Sequence, residues 1–93
     1  MFVKNRGDTL SFYLYTKNKS GVLFNVDSVT VTVYDPAGSL IATPVAVNVG
    51  VGQYEVNYTL PADAAYGKWK VKAVAVSGSY QESESYPLEV VAI

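Results

Sequence analysis

Large apolar residues recur at every second position along most of this chain. In residues 53–60 the alternating positions are Tyr54, Val56, Tyr58 and Leu60. A period of two is typical of a β-strand with one buried face. The pattern resumes at Lys68, where the inward positions are Trp69, Val71, Ala73 and Ala75. Two strands joined by a corner at residues 61–67 therefore form the centre of the predicted fold, and Trp69 is its predicted core anchor.

The remaining strands follow from the same rule. Alternation predicts strands over residues 2–5, 9–15, 28–34, 40–47 and 80–91. Pro44 interrupts the fourth of these and removes a backbone donor, so residues 40–47 are predicted to be an edge strand. No pattern of helical period, internal repeat or low-complexity tract is present. The chain is predicted to be all-β, an antiparallel β-sandwich of seven or eight strands.

Turn residues separate these strands. Asp35, Pro36 and Gly38 occupy the positions that a type I turn favours. Pro61, Asp63 and Gly67 are expected to stop one strand, to cap a single helical turn and to admit a positive φ before the next strand. The Arg-Gly-Asp triplet at residues 6–8 matches an integrin-binding tripeptide, but Gly-Asp between two strands is ordinary turn chemistry. We interpret it as a turn.

The register of the last hairpin is predicted from charge. A two-residue loop at Ser77 and Gly78 would direct Glu82 and Glu84 to the buried face, at a cost of several kcal/mol each. A three-residue loop directs both carboxylates outward and sets Glu84 opposite Lys72. This second register is predicted. It requires a β-bulge near residues 86–87, because Leu88 and Val90 must still turn inward.

Composition narrows the class of protein. The 93 residues are expected to form one domain, residues 1–93, with an apolar fraction of 49% and a charged fraction of 16%. A net charge of −1 argues against nucleic-acid binding. No apolar run is long enough to span a membrane, and residues 1–5 lack the apolar core of a secretory signal. The expected setting is either extracellular, in a cell-surface or secreted protein, or a virion.

Several segments together resemble a known family. They are residues 7–9, 31–38, 52–56, 60–63 and 67–71, which carry Gly-Asp-Thr, Asp-Pro-Ala-Gly, Gly-Gln-Tyr, Leu-Pro and Gly-Lys-Trp. This skeleton is similar to that of macroglobulin-type and bacterial or archaeal immunoglobulin-like domains. The resemblance implies an immunoglobulin-like sandwich with a non-catalytic spacer, adhesive or assembly role. It carries over no functional residue.

The residue types argue against catalysis. Histidine and cysteine, the usual groups for acid–base and nucleophilic chemistry at neutral pH, are both absent. The isolated aspartates each have a turn role, so neither a metal site nor a cofactor is expected. We predict a non-enzymatic structural module that contacts other protein subunits or domains, with homo-oligomers among the expected assemblies. The alternative is a glycan- or ligand-binding module that uses exposed tyrosines with Asn18, Asn25 and Asn48.

Two pairs of residues are the candidate interface. Val74 and Val76 are directed outward by alternation from a strand whose other outward residues are lysines. Tyr13 and Tyr15 are directed outward from residues 9–15, and tyrosine is enriched at protein interfaces. We predict that the end of the sandwich bearing Val74 and Val76 meets another subunit, with the Tyr13 and Tyr15 face as the second candidate.

Overall fold

The computed structural model describes residues 2–92, which form eight strands in two sheets. The strands are β1 (Phe2–Lys4), β2 (Thr9–Tyr15), β3 (Ser28–Tyr34), β4 (Leu40–Ala42), β5 (Ala46–Gly50), β6 (Gln53–Thr59), β7 (Gly67–Ser77) and β8 (Tyr80–Val90). The five-stranded sheet has the order β1-β8-β7-β3-β4, and the three-stranded sheet has the order β2-β6-β5. This is the predicted immunoglobulin-like β-sandwich. One pair departs from the predicted antiparallel pattern, because β1 runs parallel to β8.

The core lies between the two sheets and uses the residues that alternation assigned to the inward face. The five-stranded sheet contributes Val31, Val33, Trp69, Val71, Leu88 and Val90. The three-stranded sheet and the residues that follow it contribute Leu10, Leu14, Tyr54, Val56 and Leu60. Burying one Val, Leu or Ile side chain stabilises a fold by about 1.5–3 kcal/mol. A core of this size therefore holds the domain together without disulfide bonds, which a chain without cysteine cannot form.

The corner before β7 closes over Trp69. The Trp69 indole N–H donates a hydrogen bond of 2.8 Å to the carbonyl oxygen of Ala65. The amide of Ala64 bonds the carbonyl of Pro61 at 3.2 Å, which makes a turn at the place where a single helical turn was predicted. The Arg6 guanidinium donates to the carbonyl of Ala64 at 2.6 Å and lies 3.9 Å from the centre of the Tyr66 ring. Arg6 thus ties the residue 6–8 turn to this corner.

The turn at residues 35–38 has the predicted form. The amide of Gly38 bonds the carbonyl of Asp35 at 3.0 Å, and the Asp35 carboxylate accepts hydrogen bonds from the amides of Ala37 and Ser39. Gly38 has a φ of 87°, a conformation that residues with a Cβ atom resist. The turn joins β3 to β4, which pair with each other.

The prediction of one strand over residues 40–47 is wrong. β4 ends at Ala42 in the five-stranded sheet, and β5 begins at Ala46 in the three-stranded sheet. Pro44 lies between them, where the chain crosses from one sheet to the other. A residue without an amide hydrogen is well suited to such a crossing because no ladder bond is lost. The edge assignment holds for both halves, since β4 and β5 are each the last strand of their sheet.

The predicted register of the last hairpin is also wrong. Ser77 pairs with Tyr80 around a two-residue loop of Gly78 and Ser79, so Glu84 lies opposite Ala73 and Glu82 opposite Ala75. Both carboxylates therefore share the inner face of the five-stranded sheet with Trp69. They remain exposed to solvent because the three-stranded sheet does not cover this end of β8. This register is neither of the two considered from the sequence: it is shifted by two residues from the one with a loop at Ser77 and Gly78, but it also directs both glutamates to the inner face. Because they stay exposed there, the energetic cost of burying them does not arise.

The same register explains why the predicted bulge near Tyr86 and Pro87 is absent. The pairing of β7 with β8 runs without a shift from Ser77 and Tyr80 to Gly67 and Val90. Glu82, Glu84, Tyr86, Leu88 and Val90 all have the same parity. A single unbroken strand therefore places the exposed acids at one end of the inner face and the buried core residues at the other.

Candidate interaction surfaces

Exposed tyrosines and valines cluster at one end of the outward face of the three-stranded sheet, beyond the polar pairs of Thr9 with Thr59 and of Ser11 with Asn57. Tyr13 pairs with Glu55, which pairs on its other side with Val47, so these three residues lie in one row across the sheet. Tyr15 lies two residues further along β2, and Val49 lies two residues further along β5. We call this surface the Tyr13 face and define it by Tyr13, Tyr15, Val47, Val49 and Glu55. Tyr13 is 50% exposed, Tyr15 57%, Val47 54% and Val49 50%.

Glu55 is the charged member of the Tyr13 face. A hydrogen bond between the Tyr13 hydroxyl and Glu55, together with the negative charge of that carboxylate, raises the pKa of Tyr13. The Tyr13 phenol therefore stays neutral at physiological pH and keeps its O–H as a donor. The row combines aromatic and aliphatic area with a carboxylate, a composition that suits contact with another protein.

Val74 and Val76 lie on the opposite side of the sandwich. They point outward from β7 in the five-stranded sheet, where Val74 is flanked by Thr30 and Ser83. Both valines are partly exposed, in contrast to the four exposed apolar side chains of the Tyr13 face. The structure therefore does not bring the two predicted pairs together on one surface.

A groove of about 370 Å³ opens between β2 and the two strands β7 and β8. Ala73 and Ala75 line it from the five-stranded sheet, and Tyr13 and Tyr15 line it from β2. Glu82, Glu84 and Tyr86 of β8 complete the acidic side. The groove could not be predicted from the sequence, because the predicted register directed both glutamates to the other face. The small side chains at Ala73 and Ala75 were its one visible signal.

Tyrosines flank the two groove carboxylates on β8. The Tyr80 hydroxyl donates to Glu82 and the Tyr86 hydroxyl donates to Glu84, each at 2.5 Å. Burial raises the pKa of Tyr86 to about 12, and the hydrogen bond to Glu84 and the negative charges of Glu84 and Glu82 add to this effect. In Tyr80 the hydrogen bond to Glu82 is the main cause of a raised pKa. Both phenols therefore keep their hydroxyl hydrogen and donate it to the neighbouring carboxyl groups.

The asparagines proposed for glycan binding serve the loops. The Asn25 side-chain oxygen accepts hydrogen bonds from the Asn48 side chain at 3.1 Å and from the Gly52 amide at 2.8 Å. The Asn18 side-chain oxygen accepts bonds from the amides of Ser20 and Val22. These acceptors are therefore already engaged in holding the chain's own loops.

Two other kinds of functional feature would be a metal site and a membrane-spanning helix. Within residues 2–92 no three His, Cys, Asp or Glu side chains lie close enough to hold a metal ion. Over the same residues, no helix has the length and hydrophobicity needed to cross a bilayer.

The fold and surfaces define an immunoglobulin-like β-sandwich domain of the kind that makes non-catalytic contacts. Residues 6–90 match the model of the MG2 domain, and the chain belongs to that family. This confirms the resemblance to macroglobulin-type domains. Within this class of fold the residues that contact partners differ from protein to protein, so the family does not identify the contact surface.

Two solved structures show how widely the fold is shared. The Lin-41 filamin domain is similar with a TM-score of 0.68 and 15% identity, over 96% of this chain and 82% of that one. A DUF4785 family protein from Legionella pneumophila is similar with a TM-score of 0.77 and 16% identity, over 97% of this chain and 26% of that one. The chain thus spans about a quarter of the length of the Legionella protein. The search of curated proteins found no match.

Proposed function

We propose that this chain is a structural module that uses the Tyr13 face to contact another protein subunit. The observation that carries the proposal is the placement of two exposed tyrosines and two exposed valines on one side of a three-stranded sheet. Clustered exposed aromatic side chains are enriched at protein–protein contacts, because tyrosine combines apolar area with a polar tip. A contact of roughly 800 Å² per partner is enough for a specific interface.

The settings we propose are a virion, as a decoration or tail component, and a cell-surface or secreted protein. Both settings use small, rigid β-domains as spacers and adhesive units. The 16% charged fraction and the net charge of −1 favour contact with protein over contact with nucleic acid. Residues 1–93 are proposed to act as one domain, and no enzymatic activity is proposed for it.

The experiment is site-specific cross-linking in the native host. A photo-reactive amino acid replaces Val47 in one version of the protein and Val3 in another. Val3 is a matched control because it is 56% exposed, close to the 54% of Val47, but lies on a strand of the other sheet. We expect a defined adduct with another protein subunit, or with a second copy of this chain, only at Val47. Identical adducts from both positions, or none from either, would overturn the proposal.

The glycan- or ligand-binding alternative receives less support. Asn18 and Asn25 use their side-chain oxygens within the chain, and Trp69 is buried. A glycan titration should therefore be followed through tyrosine fluorescence, because Tyr13 and Tyr15 are the exposed aromatic groups on the Tyr13 face. A saturable change with one glycan class would favour this alternative over a protein partner.

A further inference from the structure

One long strand edge of the sandwich is only partly covered. β8 has 11 residues and pairs with β7 along its whole length. Within residues 2–92, the other edge of β8 pairs only with β1, and that pairing covers Leu88 to Val90. Residues 80–86 therefore present backbone N–H and C=O groups to the outside, and such an edge is a template for another extended chain.

The uncovered edge borders the groove between β2 and β8. Ala73 and Ala75 leave space on the inner face beside Glu82 and Glu84. Aromatic contacts lie at both ends of residues 80–86. Phe24 packs edge-on against Tyr80 with ring centres 5.1 Å apart, and Phe12 packs against Tyr86 at 5.8 Å. The open stretch thus has two defined ends and about the length of a seven-residue strand, roughly 23 Å.

Charge determines which strand this edge can accept. Glu82 and Glu84 are two residues apart on one face, so an added strand places two of its alternate side chains directly opposite them. Lys72, the predicted partner of Glu84, pairs with Ser85 and lies on the other face of the sheet. Lys17 also lines the groove, but the strand edge itself carries two carboxylates.

The pairing of two copies centred on this edge is unfavourable. Antiparallel pairing of two β8 strands about Ser83 would set Glu82 of each copy opposite Glu84 of the other. Like charges directly opposite each other destabilise a strand pair. The occupant that fits is a strand with basic residues at alternate positions.

We propose that the edge of β8 at residues 80–86 binds an extended basic segment of another protein by strand addition. The backbone ladder of the added strand continues the five-stranded sheet on the side where β1 already pairs. Two Lys or Arg side chains of the segment enter the groove and pair with Glu82 and Glu84. The edge site borders the Tyr13 face, because Tyr13 and Tyr15 line the groove, but Val47 and Val49 do not line it. Cross-linking at Val47 therefore tests the proposed function independently of peptide binding at β8.

The test measures the binding of the labelled peptide VTRTRTV to the whole chain by fluorescence anisotropy. This peptide sets arginine opposite Glu82 and Glu84 whether it pairs in parallel or antiparallel fashion. The control peptide VTETETV keeps the strand propensity and reverses the charge. Two cross-strand ion pairs are expected to favour the basic peptide by about tenfold or more in Kd. N-methylation of alternate peptide amides should abolish binding, because it removes the ladder donors.

Variants of the protein assign the site. The double variant Glu82→Lys with Glu84→Lys should reverse the preference and bind VTETETV more tightly than VTRTRTV. Glu89→Lys is the matched control, since Glu89 also lies on β8 but faces outward opposite Lys68. It should retain the preference of the unmodified chain. Should the double Lys variant lose its circular dichroism spectrum, Glu82→Gln with Glu84→Gln replaces it and should lower the affinity for VTRTRTV about tenfold.

Four results would overturn the proposal. Equal affinity for the two peptides, or no binding at millimolar peptide, would mean that the carboxylates only guard an edge strand against aggregation. Binding that survives N-methylation would be electrostatic attraction without strand addition. A preference that changes as much in Glu89→Lys as in the double variant would place the peptide on the outer face.

Discussion

The indole nitrogen of Trp69 donates a hydrogen bond to the backbone carbonyl of Ala65, four residues earlier in the chain. This bond satisfies the one polar group of a side chain that is only 3% exposed. It also ties the corner after β6 to the start of β7. Trp69 therefore acts both as core volume and as a closure of the corner.

Substitution of Trp69 separates these two roles. We expect Trp69→Ala to reduce the free energy of unfolding by about 3–5 kcal/mol, because it leaves a large cavity beside Val71. Trp69→Phe retains most of the apolar volume and loses the hydrogen bond, so its loss should be smaller, about 1–2 kcal/mol. Urea unfolding followed by circular dichroism measures both. An unfolding midpoint that scarcely moves in Trp69→Ala would contradict the central position of this residue.

Gly52 lies where three backbone atoms converge. It has a φ of 65°, and a Cβ atom there would lie 2.7 Å from the carbonyl oxygen of Thr16 and 2.8 Å from the amide nitrogen of Phe24. Gly38 has a φ of 87° with no atom within 4 Å of the same position. We expect Gly38→Ala to cost about 1–2 kcal/mol from the backbone conformation alone. Gly52→Ala should cost about 3 kcal/mol or more, because the contact adds to that strain. Equal losses in the two variants would show that the Thr16 and Phe24 backbone moves freely.

The ionisation of Tyr86 makes the stability of the fold depend on pH in the alkaline range. Its pKa is raised from 10.0 to about 12 in the folded chain, first by burial and then by Glu84. Folding therefore favours the neutral phenol, and the stabilising contribution is fully present below pH 10 and is lost as the pH rises toward 12. We expect Tyr86→Phe to lose stability less steeply than the unmodified chain between these two pH values. Thermal melts at a series of pH values measure the slope.

Glu84→Gln provides the companion measurement for Tyr86. It removes a negative charge and the ionic acceptor but leaves the burial of Tyr86 in place. The pKa of Tyr86 should therefore fall part of the way toward 10.0, as followed by NMR titration of the ring carbons. A pKa of Tyr86 that is unchanged in this variant would mean that burial and the charge of Glu82 cause the shift without Glu84.

The interface predicted at Val74 and Val76 is tested against the Tyr13 face. Val74→Glu with Val76→Lys is the variant for the first surface, and Tyr15→Lys with Val47→Lys is the variant for the second. All four positions face outward, so both variants should keep their circular dichroism spectrum and melting temperature nearly unchanged. We expect the larger loss of assembly or self-association, measured by sedimentation, in the second variant, because its apolar side chains are more exposed. A larger loss of assembly in the first variant would mean that the end bearing Val74 and Val76 makes the main contact.

Much of the fold could be predicted because local rules decide it. Alternation assigned Trp69 and Val71 to the buried face of a strand, and a strand's side-chain period does not depend on what lies opposite. The turn at residues 35–38 formed as expected because the preferences of Asp35 and Gly38 are satisfied within the turn itself. The outward direction of Tyr13 and Tyr15 followed from the same alternation.

Two features were decided by the tertiary structure: the groove beside β8, and the assignment of β4 and β5 to different sheets. The sequence-based prediction rejected an inward-facing register for Glu82 and Glu84, with the loop at Ser77 and Gly78, because the inner face was assumed to be covered; the observed register differs from it by two residues but uses the same face. Only the position of β2 shows that the three-stranded sheet leaves the end of β8 open, so that two carboxylates can face inward and still reach water. Pro44 likewise signals an interruption, but the packing of the two sheets decides that the chain crosses between them there. Side-chain alternation specifies which residues share a face of a strand. What covers that face is determined by how distant strands pack, and the energetic cost of a buried charge depends on that covering.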